Sequence, residues 1–89
     1  MNFPMDEDEQ ADAFFEELLG AVDQQLESDS TPYVRKQYDR LTKAGLSDDE
    51  AREAIARCLA EETDRMYRSK KPFDEKAYRT SLEMINPGD

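Results

Sequence analysis

"SDDEAREAIARCLAEETDRM", residues 47–66, decides the fold. Ser47 followed three residues later by Glu50 is the signature of a capping box, in which each side chain satisfies the other residue's backbone N–H. Leu46 precedes it as one half of a hydrophobic staple, with only Ala51 to meet it. Ala51, Ile55, Cys58, Leu59 and Met66 then recur at three- and four-residue spacing, the period of an amphipathic helix. At ~100° per residue, with Ile55 at zero, Ala51 lies near about −40°, Cys58 near about −60°, Leu59 near about +40° and Met66 near about +20°. Glu62 falls near about −20°, inside the apolar face, whereas Glu61 lies near about −120°, off it.

A carboxylate on that face needs an explanation, because burying an unpartnered charge costs several kcal/mol. The expectation is structural. An Arg pairs with Glu62, or a hydroxyl of Tyr38, Tyr67 or Tyr78 donates to it, or its head reaches water at the edge of the core. Glu62 is therefore a candidate buried carboxylate. The competing reading places it in the wall of a cleft that binds something.

The same punctuation recurs along the chain. Upstream, Phe15, Leu18, Leu19, Val22 and Leu26 predict a helix from about Glu7 to about Leu26, its carboxylates gathered toward the N-terminal end where the helix dipole favours them. Gly20 interrupts that pattern as a weak point or a place of close packing. "ESDSTP" reads as a loop. Thr31 as N-cap and Pro32 at the first helical position open a second helix, with Val34, Tyr38 and Leu41 on its buried face and Gly45 at its end. The third helix should stop near Ser69, because "KKP" follows. Phe73, Asp74 and Tyr78 supply a staple and an N-cap for a fourth, whose stripe is Tyr78, Leu82 and Ile85. Four helices with connections of about three to six residues predict an all-α fold, a small bundle of antiparallel neighbours. The 89 residues suit one domain. Whether that core is complete in a monomer or shared in a homodimer is open.

Charge divides the domain. Residues 1–30 hold ten carboxylates and no Lys or Arg, while residues 31–89 hold the other twelve acids and all twelve bases. An acidic amphipathic helix and loop is thus joined to a charge-balanced three-helix part. Such asymmetry bears on partners and solubility. On the acidic helix Phe14 and Phe15 are adjacent, and both cannot point at the middle of one face. An exposed Phe14 among Glu16, Glu17 and Asp23 makes a candidate partner-binding surface. The basic groups Arg35, Lys36, Arg40 and Lys43, and Arg65, Arg68, Lys70 and Lys71, could contact phosphates. Acids interleave with them, so nucleic acid is the weaker expectation: a regulator whose acidic segment masks its own basic groups.

Several chemistries are excluded or left without support. The sequence has no histidine, which removes Ser-His-Asp and Cys-His catalysis and most zinc and iron sites, including the Glu-x-x-His of bundle di-iron proteins. "DEDEQADAFFEE" lacks the turn glycine of an EF-hand loop. There is no glycine-rich phosphate loop. Cys58 lies on the apolar face and reads as a small core residue. The expectation is a non-enzymatic protein with no cofactor and no metal. A lone cysteine points to a reducing, cytoplasmic setting. "MNFPMDEDEQ" shows no basic and apolar pattern of a secretory signal, and no apolar run approaches a membrane span.

"GLSDDEAREAIARCLAEETDRMYRSKKPFDEKAY", Gly45–Tyr78, resembles the C-terminal part of small bacterial helical proteins of unknown function. In these a G-x-S-x-x-E-A-x-x-x-I helix leads to A-E-E and then to K-P-F-D-E-x-x-Y. The resemblance implies an all-helical, cytoplasmic protein and transfers no activity. It also places A-E-E within the usual stripe, which favours a structural Glu62.

Overall fold

The computed structural model describes residues 5–88, with side chains described from Ala13 onward. Four helices follow one another: α1 (Met5–Glu27), α2 (Pro32–Lys43), α3 (Asp48–Ser69) and α4 (Glu75–Glu83). The side chains of Asp6, Glu7, Asp8, Glu9 and Asp12, read above as favourable to the dipole of α1, lie outside the described residues.

Each boundary has a local cause. Gly45 adopts φ +115°, and the N–H groups of Gly45 and Leu46 donate to the carbonyls of Thr42 and Leu41. This is the paired 5→2 and 6→1 closure of a Schellman motif, and it ends α2. Two residues later the capping box forms in full. The Glu50 N–H donates to Ser47 Oγ at 3.1 Å, and the Ser47 N–H donates to Glu50 Oε1 at 2.8 Å. One helix therefore ends and the next begins within residues 44–47. Asp74 Oδ1 accepts the Ala77 N–H at 3.0 Å to open α4, and Phe73 meets Tyr78 edge-on with centroids 5.6 Å apart, closing the staple. Thr31 departs from expectation. Its hydroxyl does not cap α2 but donates to the Gln25 carbonyl at 2.9 Å, which ties the end of α1 to the start of α2.

α2 and α3 pack on each other, and both α1 and α4 pack on that pair. α3 must therefore bury a wide face, and Ala56 joins Ala51, Ile55, Cys58 and Leu59 in the core. A small residue at 56 lets a neighbouring helix approach. On α2 the buried positions are Val34, Gln37 and Leu41, not Val34, Tyr38 and Leu41. Tyr38 stays at the rim, its hydroxyl donating to Asp48 Oδ1. Gln37 can be buried because Arg40 Nε donates to its Oε1 at 2.7 Å. The same guanidinium donates through Nη2 to the carbonyls of Leu82 and Ile85, both at 3.1 Å, and so closes the C-terminal end of α4. Ile85 lies past the end of α4, partly buried against the core. Met66, expected on the core face, is also only partly buried.

Tyr78 is fully buried where three helices meet. Its ring is edge-on to Tyr33 of α2 as well as to Phe73, and its hydroxyl donates to Gln25 Oε1 of α1 at 2.7 Å. Burial raises its pKa, and burial together with the bond to Glu75 pushes Tyr33 up to about 12. A tyrosine raised above its unfolded value of 10.0 contributes stability that is intact below that pH. The contribution is lost as pH climbs through the folded value.

Two outcomes follow. Gly20 is solvent-exposed within α1, and an added Cβ there would meet nothing within 4 Å. Gly20→Ala should stabilise the fold by about 0.5–1 kcal/mol in urea unfolding. Alkaline unfolding should begin above about pH 10. Tyrosine-ring NMR should show Tyr78 ionising only as helical circular dichroism is lost. Ionisation near pH 10 with helicity intact would contradict this account.

Candidate functional site

Glu62 is buried, with 2% of its surface exposed. Helical periodicity puts it there: Ile55 and Leu59 hold their face of α3 against the core, and Glu62 continues it. Its Oε1 has no hydrogen-bond partner. The nearest cation is Arg65, one turn on, whose Nη1 lies 3.4 Å away without forming a hydrogen bond. Arg65 itself is 63% exposed. None of the three tyrosines supplies the expected hydroxyl. Tyr78 donates to Gln25, Tyr38 donates to Asp48, and Tyr67 is exposed. Arg pairing is thus met only in part, by a solvated side chain of the same helix.

What lies above Glu62 is a cleft between α3 and α4. Lys70 ends α3 in the left-handed conformation, φ +58°, and residues 70–74 turn back to start α4. Glu62 forms part of the lining, with Met66 and Phe73 beside it and Asp74 and Glu75 across from it. This lobe has a volume of about 480 Å³. A second lobe of about 400 Å³ continues along α4 past Ala77 and Ser81, and Glu62, Arg65 and Asp74 line both. Cys58 lies one turn back, buried, its thiol pushed up to about 11 by burial and by the charges of Glu61 and Glu62. The raised value keeps it protonated at neutral pH. Among the described residues no group of three His, Cys, Asp or Glu is placed to hold a metal ion.

The outer face of α1 is the second candidate region. Phe14 is 46% exposed, while Phe15 packs against the core. Glu16 and Glu17 are exposed; Glu17, three residues on, lies on the side of α1 that carries Phe14, and Glu16, two residues on, points away from it. Asp23 does not belong with them. Arg52 of α3 grips it with two parallel bonds, Nε to Oδ1 at 2.7 Å and Nη2 to Oδ2 at 2.8 Å. This bidentate pair docks α1 on α3 and engages both oxygens of Asp23, whose side chain stays 48% exposed. Nothing in the sequence singles out Arg52, because the pairing spans 29 residues.

Several arginines of the two basic groups serve the fold or their own helices. Arg40 caps α4, Arg35 pairs with Asp39, and Arg68 pairs with Asp64. Among the described side chains no ion pair joins α1 to either group; its one such partner is Arg52. Among the described residues no helix is long and apolar enough to cross a membrane.

No family model matches the chain, and neither a curated protein nor a solved structure does.

A buried carboxylate lacking a donor is dispensable for stability, since apolar replacement of buried charges is often neutral or favourable. Glu62→Met should leave the urea midpoint unchanged or raise stability by about 1 kcal/mol. A loss above about 2 kcal/mol would mean that the carboxylate holds the fold together.

Proposed function

We propose that this is a small non-enzymatic helical module that works by binding a protein, with its contact surface on the outer face of α1. The observation that carries the reading is Phe14. It is 46% exposed, its neighbour Phe15 is packed away, and the exposed Glu17 lies one turn on, within a segment that has no basic residue. An apolar anchor on an acidic segment suits a basic partner segment that offers an apolar pocket. Charge would speed the encounter, and the phenyl ring would supply the buried contact.

Two features support a non-enzymatic reading. The chain has no histidine, and its single thiol is buried and held protonated. A cytoplasmic setting accords with one unpaired cysteine. The domain acts as a monomer or as a homodimer. The nucleic-acid alternative draws no ion pair from the geometry, because among the described side chains none joins α1 to either basic group.

The test is cross-linked capture from native cells with the full chain. Phe14→Ala combined with Glu16→Lys and Glu17→Lys should abolish capture of a specific protein, with helical circular dichroism unchanged. A control with Arg68→Glu should retain it. An identical set of captured proteins from all three would refute the α1 surface.

A further inference from the structure

We propose that the cleft between α3 and α4 is a binding site for a primary alkylammonium group, with the buried carboxylate of Glu62 as its anchor. The proposal is independent of the α1 surface, which involves none of these residues.

The first ground is the unmet valence of Glu62. A side chain 2% exposed keeps an Oε1 with no hydrogen-bond partner, in the lining of both lobes of the cleft. Buried polar atoms in folded proteins are nearly always partnered, and each exception calls for a ligand, a water or a functional cause. Arg65 stands 3.4 Å away but is 63% exposed and is not hydrogen-bonded there. Its guanidinium lies largely in water, so an incoming cation could take its place beside Glu62.

The second ground is the contrast in burial between this acid and the charges around it. Asp74 is occupied by a neutral donor, the Ala77 N–H, and Glu75 by another, the Tyr33 hydroxyl at 2.9 Å. Those bonds fix both carboxylates in place without neutralising them. Three acids and three bases, Arg65, Lys71 and Lys76, line the two lobes; of the six only Glu62 is buried, and the exposed bases keep their charge in water. Among the described residues these acids do not group closely enough to hold a metal ion.

The third ground is shape and surface. Met66 and Phe73 give the cleft apolar walls beside the acid, in a lobe of about 480 Å³. An ammonium carries three N–H donors on a compact charge, and the alkyl stem behind it can lie along apolar walls. A free alkylamine and a lysine side chain of a partner share this chemistry.

The experiment is an NMR titration of the full chain, reading backbone amides, with n-butylammonium and with neutral n-butanol. Butylammonium should give saturable shifts at Glu62, Arg65, Asp74 and Glu75, and butanol should not. Glu62→Gln should weaken binding about tenfold or more, the loss of a charge-assisted bond. Arg65→Ala, an exposed change that spares the fold, should leave affinity equal or tighter. Equal shifts from butanol, undiminished binding by Glu62→Gln, or weaker binding by Arg65→Ala would each overturn the proposal. Parallel titrations with 1,5-diaminopentane and with Nα-acetyl-lysine methylamide identify the source. Tighter binding of the diamine supports a free amine, and tighter binding of the lysine derivative supports a partner's side chain.

Discussion

The hydrogen bond from the Tyr78 hydroxyl to Gln25 Oε1 is the point on which the arrangement turns. α1 and α4 both lean on the α2–α3 pair, and this bond joins them directly. It is possible only because Tyr33 and Phe73 hold the Tyr78 ring edge-on from two sides. Gln25 is fixed in turn, since its carbonyl accepts the Thr31 hydroxyl. One buried phenol thus sets the position of the first helix relative to the last. A buried hydroxyl without its acceptor would cost about 1–3 kcal/mol, a large share of the stability of a domain this small.

Polar side chains perform much of the long-range assembly. Arg40 satisfies Gln37 and closes α4, and Arg52 fastens α1 to α3 through Asp23. These contacts explain what could be read in advance and what could not. The Schellman glycine, the capping box and the Phe73–Tyr78 staple act within about one helical turn, so their residues are adjacent in the sequence and legible there. The reach of Arg40 to Leu82 spans 42 residues, and that of Tyr78 to Gln25 spans 53. No local spacing encodes such pairs. For this reason Arg40 reads as part of a basic group and Asp23 as part of an acidic surface, although both are internal fasteners.

The candidate sites divide along the same line. That Glu62 faces inward follows from α3 alone, because helical geometry assigns its direction. What covers it depends on the turn through residues 70–74 and on where α4 begins, which α3 does not specify. The division between Phe14 and Phe15 was legible as a choice, one in and one out. Packing of α1 on its neighbours decides which.

The corner at residues 44–47 has a consequence for the order of assembly. Everything that shapes it lies within a few residues, so closing it costs little chain entropy. The fasteners of α1 must instead close loops of 29 and 53 residues. Local contacts form ahead of distant ones, so the α2–α3 corner is the natural seed and α1 docks late. Until it docks, Leu18 and Val22 face water. The uncompensated negative charge of that segment then acts as a built-in solubiliser, repelling other copies while the apolar stripe waits for its place.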